Sequence, residues 1–64
     1  MFVNGKEMDL KEPVILIEFL ENENYSKDRI AVEINEKIIP KSQYETYVIK
    51  QDDVIEVVSF VGGG

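Results

Sequence analysis

Arg29-Ile30-Ala31-Val32-Glu33-Ile34-Asn35 is the stretch from which the fold can be read. Ile30, Val32 and Ile34 alternate with Ala31, Glu33 and Asn35, the period of a strand with one face in a core and the other toward water. Downstream, Asn35-Glu36-Lys37 reads as a short turn and Ile38-Ile39-Pro40 as the segment that follows it. Pro40 cannot donate to a ladder, so this segment belongs at a sheet edge or a strand end. Residues 42–47 are too few for a full helix and fit a single turn. Gln51-Asp52-Asp53 is a polar turn ahead of a last strand over residues 54–61.

Upstream, residues 1–3 form a short strand entering a tight hairpin at Asn4-Gly5. That pair suits a type I′ turn, in which both central residues need positive φ. Residues 6–10 return, with Met8 and Leu10 on one face and Glu7 and Asp9 on the other. Pro13 suits the first turn of a helix, where its missing N–H is not needed. Leu16, Ile17, Phe19 and Leu20 then give a broad apolar face, with Glu18, Glu21 and Glu23 outside it. The run Val14-Ile15-Leu16-Ile17 also fits a strand, because β-branched residues favour one. The helical spacing after Glu18 decides for a helix, and Asn24 fits a left-handed cap at its end.

The order is hairpin, helix, strand pair, strand. A helix of about three turns across one face of a mixed sheet of four or five strands satisfies it. This is an α+β fold of the β-grasp, ubiquitin-like type. The helix must cross over between strands, which favours a parallel pairing there. The expected core is Val3, Ile17, Leu20, Ile30, Val32, Ile34, Ile55 and Val57. Residues 1–61 form the domain, and residues 62–64 form a flexible tail.

Composition narrows the chemistry. At 64 residues there is room for one domain, and chains of this size bury only about 60% of their unfolded surface. With no Cys and no His, a zinc site on those ligands, a catalytic thiol and a Ser-His-Asp triad are excluded. Lack of Cys fits a reducing cytosol, and the cytoplasm is the expected location. The N-terminal residues lack the pattern of a signal peptide, and no apolar run approaches the roughly 20 residues that span a bilayer. The chain reads as soluble, with no membrane partner. The net charge is −6, from 13 acids and 7 bases, and nucleic acid is bound chiefly through Lys and Arg, so it is not an expected partner. The acidity serves solubility, attraction to a basic protein surface, or both. Asp52-Asp53 has no third ligand in sight and reads as part of a turn. Tyr25, Tyr44 and Tyr47 read as half-buried packing residues.

Glycine usage is more telling. Of four glycines, three are Gly62, Gly63 and Gly64. Glycine is entropically costly, so three together call for a reason. Either this is a frayed end, or it is an arm without side chains that threads a narrow channel. Three residues extend about 10 Å, enough to carry a terminal carboxylate into another protein's active site. A carboxylate must be activated before its carbon can form a new bond, typically as an acyl-adenylate made from ATP. The chain has no G-x-x-x-x-G-K-[ST] loop for phosphate, so it is the substrate of an activating enzyme and binds no cofactor itself. Alternation in the last strand puts Ile55 and Val57 in the core and Glu56, Val58 and Phe60 on the other face. An exposed Val58/Phe60 pair beside the tail is a candidate docking patch. Alternatively, parity slips at a bulge, or Phe60 covers the end of the core.

Four stretches resemble the ThiS family of sulfur carriers in thiamine biosynthesis. They are Val3-Asn4-Gly5-Lys6-Glu7, Ile30-Ala31-Val32-Glu33-Ile34-Asn35, Ile38-Ile39-Pro40-Lys41-Ser42, and Lys50-Gln51-Asp52-Asp53-Val54-Ile55-Glu56-Val57-Val58-Ser59-Phe60-Val61-Gly62-Gly63-Gly64. Together the stretches extend the likeness over nearly the whole chain. Members often carry glycine where this chain has Asn24, Glu36 and Asp52, a departure that concerns turns and not the tail. The resemblance implies that a ubiquitin-activating-type enzyme adenylates the Gly64 carboxylate. Sulfur mobilised from cysteine by a donor system then replaces AMP, leaving a thiocarboxylate that supplies thiazole synthase. The chain is thus a co-substrate with no catalytic residue. The small subunit of molybdopterin synthase, usually longer, works by the same mechanism and is the nearest alternative. Carriers that serve cysteine or other sulfur metabolites, a protein modifier joined through Gly64 to lysine, and a plain β-grasp interaction domain are further alternatives.

Overall fold

The computed structural model describes residues 1–60. In chain order the strands and helix are β1 (Phe2–Val3), β2 (Lys6–Glu7), β3 (Val14–Ile15), α1 (Leu16–Asn22), β4 (Ile30–Ile34), β5 (Lys37–Ile39), β6 (Val48–Ile49) and β7 (Val54–Ser59). Five strands form one mixed sheet in the order β2-β1-β7-β4-β5, and β3 and β6 form a separate two-stranded sheet. β7 is therefore central. It runs parallel to β1, with Phe2 beside Val54 and Val3 beside Ile55, and antiparallel to β4. This is the expected α+β, β-grasp arrangement, and β5 lies at the edge as Pro40 implied.

Both hairpins of the main sheet close through two residues. Val3 pairs with Lys6 around Asn4-Gly5, and Ile34 pairs with Lys37 around Asn35-Glu36. All four turn residues have positive φ: 51° and 83° in the first turn, 53° and 68° in the second. These values give the strands the right-handed twist that type I′ loops match.

The start of the helix differs from the sequence expectation. Pro13 does not open a helix, and Val14 and Ile15 are extended, paired with Ile49 and Val48 of β6. The β-branched preference prevailed because a partner strand is available to complete the ladder. The helix begins at Leu16 and has seven residues, about two turns instead of three. Its first amides are not left open: Leu16 N–H donates to the Tyr47 carbonyl and Ile17 N–H to the Tyr44 carbonyl, each at 2.8 Å. At the other end Asn24 has φ 64°. Asn24 N–H reaches the Glu21 carbonyl and Tyr25 N–H the Leu20 carbonyl, the paired bonds of a Schellman cap.

The later start also moves the buried stripe. Leu16, Phe19 and Leu20, at i, i+3 and i+4, are buried, and Ile17, expected in the core, is half-buried on its flank. The other seven expected core residues are buried, joined by Met1, Ile39, Tyr44 and Ile49. Tyr44 is 2% exposed and so fully internal, not half-buried as its residue type suggested. The single turn expected at 42–47 is a 3-10 turn at Lys41–Gln43. Among the described residues no helix is long and apolar enough to cross a membrane.

Candidate functional site

The candidate site is the outer sheet face and the end of β7. Pairing β4 with β7 sets Val32 against Val57 and Ile34 against Ile55, all four buried. A slip of one residue would bury Glu56 and expose this core set, so the register is strongly specified. Val58 is consequently 57% exposed and Phe60 52%, and Glu56 is exposed between the inward residues. Parity does not slip here, and Phe60 is outside the buried core. The last described residue is tied down by its backbone, with Phe60 N–H donating to the Arg29 carbonyl at 2.8 Å. Val61 and the tail residues Gly62, Gly63 and Gly64 lie outside the described residues.

Three polar side chains hold β7 in place, and sequence reasoning gave them only turn roles. β1 ends at Val3, leaving β7 without a strand partner on that side. Asn4 takes over. Its N–H donates to the Ile55 carbonyl at 2.9 Å, and its Oδ1 accepts from Val57 N–H at 2.8 Å. On the opposite side Asn35 N–H donates to the Val54 carbonyl, and Asn35 Oδ1 accepts from Val54 N–H at 3.0 Å. Asn35 Nδ2 also donates to Asp53 Oδ1 at 2.9 Å. Asp53 is buried, and its Oδ2 accepts Lys50 N–H at 2.8 Å. Of the acidic pair read as a polar turn, Asp52 is exposed and Asp53 is a buried brace. Among the described residues no group of three acidic, His or Cys side chains could hold a metal.

Burial raises the Tyr44 phenol above its ordinary value, with a Val32 backbone hydrogen bond acting the other way. The Tyr47 phenol is raised by burial and then by the nearby Asp53 charge. The backbone carbonyls of both residues accept from the first amides of α1.

The outer face holds more than sequence parity indicated. Phe2 and Val54 are adjacent and 43% and 46% exposed, and Ile38 on β5 is 75% exposed. Ile38 sits opposite Glu33, and Glu33 sits opposite Glu56. Only the register reveals this row. Ile38-Ile39 in sequence does not say which isoleucine faces out.

The architecture defines a small ubiquitin-like β-grasp domain. The ThiS family model matches residues 1–64. The sulfur carrier protein ThiS of Bacillus subtilis is 38% identical over 63 residues, covering 97% of this chain and 96% of that protein. A thiazole synthase of Paramagnetospirillum magneticum is 31% identical over 64 residues, covering all of this chain but only 20% of the synthase. The crystal structure of a thiamine biosynthesis protein, ThiS, from Geobacter metallireducens superposes with a TM-score of 0.82 at 26% identity, covering 98% of this chain and 96% of that one. The chain belongs to the ThiS family.

Proposed function

We propose that the chain carries sulfur for thiazole formation in thiamine biosynthesis, with the Gly64 carboxylate as the group that is loaded. The observation that carries this reading is the family match along the full length, through the terminal glycines. A ubiquitin-activating-type enzyme uses ATP to convert the carboxylate to an acyl-adenylate, releasing pyrophosphate. Sulfur from a donor system displaces AMP and leaves the thiocarboxylate. Thiazole synthase then takes the sulfur and returns the carboxylate. No cofactor needs to sit on the chain, and its own residues do no bond chemistry. They supply an arm and a docking face.

Gly62 and Gly63 lack a Cβ, so the arm passes a channel too narrow for other residues. Val58 and Phe60, with Glu56 beside them, form the surface that partners grip, and Phe60 is anchored where the arm begins. The thiazole synthase match supports thiamine over the molybdopterin pathway, because a segment like this chain occurs within a protein of that name.

Incubating the chain with ATP, its adenylating enzyme and a sulfur donor should raise the intact mass by the difference between one sulfur and one oxygen atom. Deleting Gly64, or changing Gly63 to Trp, should abolish that gain while leaving thermal stability nearly unchanged. A Gly64-deleted chain that still accepts sulfur at its new terminus would remove the central claim.

A further inference from the structure

Glu33 and Glu56 stand directly opposite each other on antiparallel strands. Such side chains have Cβ atoms about 4.5–5.5 Å apart, and like charges in this arrangement are unfavourable. The same face carries a third acid, Glu7, opposite Phe2. No Lys or Arg occupies an outer-face position of the paired strands: Lys6 pairs with Val3 and Lys37 with Ile34, on the core side. Among the described residues the recorded ion pair is Lys41–Asp28, at 4.0 Å, and it touches neither glutamate.

Two shallow grooves meet at this pair. One, of about 160 Å³, has Ala31, Ile38 and Val58 as apolar walls. The other, of about 280 Å³, adds Val54 and Glu36. Glu33 and Glu56 line both. The face is thus an apolar surface, exposed at Ile38, Val58, Val54 and Phe2, with uncompensated negative charge at its middle.

We infer that this face docks a partner protein that places one basic side chain, best an arginine, between the Glu33 and Glu56 carboxylates while apolar residues cover Ile38 and Val58. A guanidinium can donate to both acids at once, which an ammonium does less well. A second copy of this chain is the wrong occupant, because its own face would bring acids against acids. The inference rests on the reading that this face meets the activating enzyme, and it adds the residue chemistry that makes the match.

The test pairs two measurements on the full chain. The Glu33→Gln/Glu56→Gln variant, freed of repulsion, should melt higher by on the order of 1–8 °C. It should bind the adenylating enzyme about 10- to 100-fold more weakly, with a shallower salt dependence. A control, Glu18→Gln/Glu45→Gln, removes the same charge on the helix side and should bind within about two-fold of the unaltered chain. Unchanged binding by the first variant overturns the inference, as does an equal loss in the control, which would mean general steering by net charge. A concentration-dependent dimer through this face, or no binding by the unaltered chain, overturns it as well. Failure of the carrier reading is separate: it appears as a Gly64 carboxylate that never gains sulfur, whatever the binding result.

Discussion

Glu36 is the residue least suited to its place. It holds φ at 68° in a two-residue turn, where a side chain with a Cβ costs roughly 1–2 kcal/mol. Asn35 tolerates the same region better, and it has work there, joining Val54 to Asp53. Glu36→Gly should relieve the clash and lose about 0.5–1 kcal/mol to greater freedom of the unfolded chain. The expected outcome is a net gain of about 0.5–1 kcal/mol, seen as a melting temperature higher by about 2–8 °C. A lower melting temperature would show that the β4–β5 turn carries no strain. Glu36 also illustrates what a residue type can hide: a turn is evident at 35–37, but glutamate gives no sign of positive φ.

At the scale of elements, β7 depends on side chains where strands run out. Beyond Val3, Asn4 supplies the acceptor for Val57 N–H. Asn4→Gly keeps the turn's backbone freedom and removes that acceptor, together with the long, exposed bond from Asn4 Nδ2 to the Tyr25 hydroxyl at 3.5 Å. It should cost about 1–3 kcal/mol, the penalty for an unpaired part-buried amide, read from denaturant or thermal melts. No loss would mean that water replaces the asparagine. Elements with local signals were legible in sequence: the alternation over 30–35 gave β4 and its inward residues, and Asn4-Gly5 gave the first hairpin. The exposure of Val58 and Phe60 followed from parity alone. What escaped depends on distant partners. β3 exists because β6 pairs with it, and two-residue Val48–Ile49 has no period of its own to read. The Asn4 bond spans 53 positions, and the Glu33–Glu56 pair needs a register that no single strand encodes.

At the scale of the whole molecule, a pH-sensitive reserve of stability lies in Tyr44 and Tyr47. The folded Tyr44 phenol titrates above 10.0, its ordinary value, because burial disfavours the phenolate. The folded state therefore holds this proton at pH values where the unfolded chain has lost it. Stability from this source is intact below about pH 10 and declines as pH rises further. Tyr44→Phe should flatten the decline between about pH 9 and 11 relative to the unaltered chain. Parallel declines would mean that Tyr44 ionises without disturbing the fold. Composition had excluded metal-thiolate and triad chemistry, and the terminal glycines had pointed to the chain end. The face that flanks that end could be described only once the five strands were in order.

The central place of β7 bears on how the molecule folds. The strand that joins β1–β2 to β4–β5 follows both in sequence, so before β7 docks the chain holds two hairpins and the small β3–β6 sheet but no main sheet. The pairing of β7 with β1 sets Phe2 beside Val54, a contact across most of the described chain, and such non-local closure slows folding. Any partner that grips the sheet would therefore select folded chains over unfolded ones, because its outer face exists only once β7 is in place.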